Sequence, residues 1–409
     1  MSLLREKRLL LYLFVGLRLM LIMVYQPYVI TGVERGLTVF GDFQHYYNLA
    51  ALSTQGWLPY RDYWYEFPPV FPLISLGVYS LTGAAGGFTP YATLLAIVML
   101  AFDVGNLWLL QRLGTRLHGE ETGTLLGWVY ALLAVPLVFS VWAFEPVVCF
   151  ALLLALSWMV ERKDAQAAVA IALGVLTKLY PLIALAALWR YRSPRSALRT
   201  TVIALVIAVI GLGGMLAVAG RFGLPSLMAQ FNKASYQTVW ALIDGNYRTG
   251  NFGPLADHFD PAKAYDLLGN PARLPWWLRG LVFGGVGLLI FVRTRRFDER
   301  GLVAFVSITV TVFFLWSQGW SPQWQMILLP LILLNFPTRT GVLVCLMLSL
   351  VSFVEYPLLF ARTAETDGAI SGAQLPVYAI LIGVRTLLLI GFGMALYREL
   401  RRERTQNLA

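Results

Sequence analysis

Apolar runs of about 20 residues, the length a helix needs to span a bilayer, recur along this chain with short basic clusters between them. That pattern constrains the fold more than any single motif. Hydrophobic residues make up 58% of the sequence and charged residues 13%, against roughly half and a quarter in soluble domains. The first run, 9–30, follows Arg5, Lys7 and Arg8. It is too long for a signal-peptide core and has no small-residue cleavage site, so it reads as a retained span. The net charge of +10 would suit a nucleic-acid partner. Its distribution argues against one, because the basic residues flank apolar runs: Arg112/Arg116, Arg162/Lys163, Arg190/Arg192/Arg195/Arg199, Arg293/Arg295/Arg296/Arg300 and Arg398/Arg401/Arg402/Arg404. Such clusters mark cytoplasmic loops. Cys149 and Cys345 lie inside apolar runs and read as buried free thiols. No His/Cys spacing suits a metal.

Charge also threads the chain. Basic termini place both ends in the cytoplasm, so the number of crossings is even. The first span runs outward. The apolar stretch at 69–82 is short for a crossing, and a crossing there would put Arg112 and Arg116 on the wrong side. It is expected to be a helix at the outer interface. Crossings are then expected at 91–111, 123–142, 145–160, 200–219, 277–292, 301–317, 324–336, 340–356 and 374–397. Residues 165–190 are too few for two full crossings and read as a pair of short helices meeting at "TKLYP", Thr177–Pro181, because Pro181 cannot continue a helical ladder. The expectation is one all-α polytopic membrane domain over 1–409, with about 12 transmembrane helices. Its long outer segments are 31–90, which holds juxtamembrane helices, and 220–276. The polar bulk lies outside, so the chain is expected to work on the outer face of the plasma membrane.

Certain polar residues require explanation. "GDFQHYYNLAAL" opens with Asp42, a helix N-cap by type and also a rigidly held carboxylate suited to general-base chemistry. His45 shares its helical face, and Tyr46 follows. "PYRDYWYEFPPV" sets Arg61, Asp62 and Glu66 among aromatics. Tyr and Trp alone would form an interfacial belt, whereas charges interleaved with rings suit a sugar. Lys178, beside Tyr180, sits at the apex of two incomplete helices, where a phosphate is its natural partner. Glu145 begins an inward span, Arg248 lies in a glycine-rich outer loop, and Gln323 sits in the outer turn "SQGWSPQWQ". Arg18, Asp103, Glu355 and Arg385 are intramembrane charges expected to pair between helices. His258, between Asp257 and Asp260, reads as part of a solvated loop cluster.

An acid after the first span, an outer "PYRDYWYEFPP", an apical "TKLYP" and a later "SPQW" resemble the GT-C class of integral-membrane glycosyltransferases. They are most similar to the bacterial polyprenyl-phosphomannose-dependent α-1,2-mannosyltransferases. Residues 357–409 match only as membrane helices. The resemblance implies inverting transfer of a sugar, mannose first, from a polyprenyl-phosphate donor to a glycolipid or glycan acceptor within the membrane's outer face. It implies Asp42 as catalytic base, with Lys178 and Arg61 or Arg248 on the departing phosphate, and Glu66, Asp62, Glu145 and the aromatics on the acceptor. Phe43 and Gln44 follow Asp42, so no Asp-x-Asp is present, no metal ligand is assigned and metal dependence stays open. The lipid-phosphate sugar is a co-substrate rather than a cofactor. The rival readings are transfer of another lipid-linked sugar (arabinofuranose or glucose) and a 12-helix transporter, which would show internal repeats and helices broken at mid-membrane.

Overall fold

The computed structural model describes residues 6–24, 41–139, 143–231, 233–250, 252–363, 366 and 368–403. The end of the expected first span (25–30), the beginning of the first loop (31–40) and the end of the expected 123–142 span (140–142) lie outside the described residues. The described chain is helical, with three isolated bridges in place of any sheet.

The apolar runs become helices in the expected order. The first half holds α1 (Lys7–Val24), α2 (Gly41–Ala51), α3 (Val70–Thr82), α4 (Phe88–His118), α5 (Glu120–Leu132), α6 (Ala134–Phe139), α7 (Glu145–Val160), α8 (Asp164–Val175) and α9 (Leu185–Tyr191). The second holds α10 (Pro194–Ala219), α11 (Gly223–Met228), α12 (Val239–Asp244), α13 (Trp276–Arg293), α14 (Glu299–Trp316), α15 (Gln325–Asn335), α16 (Arg339–Phe353), α17 (Phe360–Thr363) and α18 (Gln374–Arg401). Among the described residues six helices are long and apolar enough to cross a membrane: α4, α10 continued to Met228, α13, α14, α16 continued to Tyr356, and α18. The chain is a multi-pass membrane protein. The expected total of about 12 crossings is not reached by these six; α7, expected as a crossing, and α8, expected in the short pair, are apolar but shorter, as is the expected interfacial helix α3. Helix α1 has the length but carries Lys7, Arg8 and Arg18.

Two departures from regular helices matter. The expected 123–142 span is broken: Leu133 is extended, and α6 restarts at Ala134. Pro136 then falls in a first turn, where its missing N–H costs nothing, instead of in a helix interior. The "TKLYP" break forms as expected. Helix α8 ends at Val175, a turn carries Lys178, and a 3₁₀ segment over Tyr180–Ala184 leads into α9. The chain closes tightly there, for a Cβ on Gly174 would lie 2.9 Å from the Cβ of Pro181. The Val70 N–H donates to the Leu176 carbonyl at 2.9 Å, so the short helix α3 starts directly on this turn.

The intramembrane charges pair across helices. Arg18 on α1 donates from Nε to Asp103 Oδ2 on α4 at 2.8 Å, with both side chains fully buried. Tyr130 of α5 donates to Asp103 Oδ1 at 2.6 Å, and the ring of Phe14 lies 3.5 Å from the guanidinium carbon. Arg385 of α18 donates to both oxygens of Glu355, at 2.6 and 2.7 Å. Removing one partner strands a charge in apolar surroundings, which typically costs about 3–5 kcal/mol. Asp103→Asn is therefore expected to lower the thermal midpoint of the detergent-solubilised protein markedly. The double change Arg18→Met with Asp103→Leu should recover most of the loss, since no charge is left unpaired.

Candidate active site

A turn in the first polar segment determines which of its residues face inward. Tyr60 has a positive φ of 70° and its N–H donates to the Tyr63 carbonyl at 2.8 Å, reversing the chain. Arg61 and Asp62 are left on the exposed side of this turn, while Trp64, Tyr65 and Glu66 turn inward and are buried. The second long segment locks onto them. The Trp64 N–H donates to the His258 carbonyl at 3.0 Å, and its indole N–H to the Asp257 carbonyl at 2.8 Å. His258 Nδ1–H donates back to the Trp64 carbonyl at 2.8 Å, and the two rings stack with centroids 4.1 Å apart. His258 is thus buried between the loops, and the expectation of a solvated cluster is corrected.

Beneath this junction lies a cavity of about 1380 Å³, open mouth included. Asp42, Glu66, Lys178, Lys233, Arg248 and Gln323 line it, brought together from the first loop, the "TKLYP" turn, the second loop and the "SPQW" turn. Asp42 sits in the first turn of α2, and Gln323 Nε2 donates to its Oδ2 at 3.4 Å. Lys178 Nζ donates to Glu145 Oε1 at 2.5 Å and lies 4.9 and 5.2 Å from the ring centroids of Phe144 and Trp324. Lys233 is paired with the buried Glu66. Each lysine therefore has one carboxylate of its own, while among the described residues no cation pairs with Asp42. Asp42 is enclosed by protein although it opens on the cavity. This burial, then the negative Glu145 and Glu66, push its carboxyl up to about 7, with Lys178 and Lys233 opposing. Burial works against the charge on Lys233, but Glu66 and its neighbours outweigh it and hold the ammonium above the ordinary lysine range.

The sequence-predicted site residues divide accordingly. Asp42, Tyr46, Glu66, Lys178, Arg248 and Gln323 line the cavity. Glu145 lies behind Lys178 as its partner. Tyr180 is buried below the cavity, stacked on Phe313 with centroids 5.4 Å apart. His45 does not face Asp42's cavity. It stacks on Phe252 at 4.2 Å and meets His258 at 5.1 Å, and burial, then the nearby His258 and Lys233, push its pKa down. Arg61 and Asp62 bond to each other, and Asp62 also accepts from the Leu58 N–H at 2.8 Å. Neither reaches the cavity, so the placing of Arg61 on a phosphate and of Asp62 on an acceptor is corrected. Lys233 supplies the second cation, and sequence reasoning missed it. The signal was weak: one lysine in "FNKASY", seven residues before Trp240, in a stretch with no motif.

The sequence profile of glycosyltransferase family 87 matches residues 70–317. The chain belongs to glycosyltransferase family 87. This glycosyltransferase has no match among curated proteins by sequence. Among solved structures it is similar to the oligosaccharyltransferase of Archaeoglobus fulgidus, with 13% identity and a TM-score of 0.43 over 98% of this chain and 57% of that one. It is also similar to ArnT from Cupriavidus metallidurans, with 13% identity and a TM-score of 0.35 over 86% and 79%. The glycosyltransferase thus spans little more than half the length of the archaeal protein. The family match takes in Glu145, Lys178, Lys233 and Arg248 and begins after Asp42.

The environment of Asp42 makes a measurable statement. Its carboxyl should be protonated below pH 7 and ionised above it, seen as a carboxyl infrared band that disappears with a midpoint near 7 and is missing from Asp42→Asn. Glu145→Gln removes a negative neighbour, so the midpoint should move to lower pH.

Proposed function

We propose that this glycosyltransferase moves a sugar, mannose first, from a polyprenyl-phosphate donor to a hydroxyl of a glycolipid or glycan, on the outer face of the plasma membrane. The observation that carries this reading is a carboxylate poised near neutral pH that shares one cavity with two lysines. A base with a pKa close to the working pH combines a useful ionised fraction with strong proton affinity. Lysines in the same cavity suit a phosphate leaving group.

In this mechanism the ionised Asp42 takes the proton from the acceptor hydroxyl. The freed oxygen pair attacks the anomeric carbon from the face opposite the phosphate. The bond from that carbon to the phosphate oxygen breaks, its electron pair stays on the phosphate, and the sugar inverts. Lys178, fixed in place by Glu145, meets the developing charge, and Lys233 is a second candidate in place of Arg61. The lining of the cavity suits the two substrates in different parts. Phe139, Tyr356 and Phe360, whose rings pack on one another in the lining, suit the lipid of the donor. Trp64, Arg248, Lys263 and Asp266 also line it, and such a mixture of ring and charge suits a hydroxylated acceptor. Both termini are taken as cytoplasmic from the charge pattern.

Incubation of the purified protein with radiolabelled polyprenyl-phosphomannose and a lipid-extract acceptor pool tests the reading. Label in a new product supports it. Label transferred only from a polyprenyl-phosphate arabinofuranose or glucose donor would replace mannose, and uptake of label into vesicles without a product would favour a transporter. Asp42→Asn should lower transfer by about 10²–10⁴-fold while donor binding is kept. For the parent protein, turnover should rise with pH through about 7, because only the ionised form of Asp42 acts as a base. Activity of Asp42→Asn equal to that of the parent would sink the assignment.

A further inference from the structure

Gln237 lines the same cavity with a positive φ of 51°, a backbone state that costs a residue with a side chain. All four of its polar groups are held. Its N–H donates to the Tyr378 hydroxyl at 2.9 Å, and its carbonyl accepts from Arg385. Its Nε2 donates to Glu355 Oε1 at 2.9 Å, and its Oε1 accepts from the Gly250 N–H at 3.1 Å. The holders are buried and come from the last helices of the chain. Arg385 and Tyr378 lie on α18, and Glu355 lies just past the end of α16, at a kink where Tyr356 is extended (φ −140°, ψ 123°). Tyr378 in turn donates from its hydroxyl to the Arg248 carbonyl at 3.2 Å. Strain of this kind persists only where the surroundings over-determine it, and it gathers at functional sites.

From this geometry we infer that Gln237 is a positioning residue. Held by the buried Arg385–Glu355 pair and Tyr378, it fixes the cavity wall formed by Arg248, Thr249 and Gly250. Both ends of the Gln237 side-chain amide are bonded within the protein, so it acts through that wall and not on substrate. The last two long helices lie beyond the family-matched region, yet they set this wall's distance from the site. The assignment of the wall to the acceptor rests on the function proposed above.

Gln237→Gly tests this, because glycine accepts the positive φ and keeps both backbone bonds while losing the hold on Gly250. Hydrogen exchange on the full chain in nanodiscs needs no substrate. The Gly250 amide should exchange about tenfold faster in the variant, as expected for loss of one protecting bond, with an unchanged or higher thermal midpoint. With polyprenyl-phosphomannose as donor and octyl α-mannoside as acceptor, KM for the acceptor should rise about tenfold with kcat within threefold, the size of one lost hydrogen bond. Unchanged Gly250 exchange overturns the inference. So does a fall in kcat with KM unaltered, or a lower thermal midpoint with exchange raised throughout the chain, which marks a merely structural role. If the parent transfers no mannose, the proposed function falls, and Gly250 exchange alone decides the clamp.

Discussion

A charge removed from water must find an opposite charge or lose its ionisation, and this requirement organises the molecule. Arg18 with Asp103 joins the first helix to the bundle. Arg385 with Glu355 joins the last. Lys178 with Glu145 and Lys233 with Glu66 bring two cations to the wall of a half-enclosed cavity without leaving either unpaired. Against that background Asp42 stands out, since among the described residues no cation pairs with it and its carboxylate accepts only a long hydrogen bond, from Gln323. Its raised proton affinity follows directly from being enclosed near two carboxylates.

The cavity is assembled from segments far apart in sequence, and each is fixed by a different device. A helix start holds Asp42. A break between two short helices holds Lys178, and the same break receives the first amide of α3. Stacking of Trp64 on His258 closes the two long segments over them. The "SPQW" turn closes the far side, with Trp324 stacked on Phe314 at 5.4 Å and Gln323 reaching Asp42. The site is therefore a meeting of loops on a helical scaffold, which is where chemistry is commonly placed.

Much of this was legible in the chain, for identifiable reasons. Hydrophobic length and basic flanks located the helices, because bilayer thickness and loop charge are both written directly in composition. Pro181 and the shortness of 165–190 located the break that carries Lys178. Other features depended on local backbone direction, which spacing does not encode. The left-handed Tyr60 turned Arg61 and Asp62 outward and Glu66 inward, although all three belong to one motif. His45 was placed near Asp42 by helical spacing and is instead claimed by Phe252, some two hundred residues away. Lys233 has no motif around it, and only its partner Glu66 reveals it. Which intramembrane arginine meets which acid was likewise a question of topology.

The bond from the Val70 amide to the Leu176 carbonyl has a mechanical meaning. Helix α3 is short and ends in glycines, whereas the turn it touches carries the lysine next but one to Leu176. Helix and turn are thus tied at one point, with the start of an apolar rod on one side and, two residues along the turn, an ammonium group on the other. A shift at the start of the rod is therefore felt at the turn beside Lys178, as well as through the rod's packing on α2 and α4.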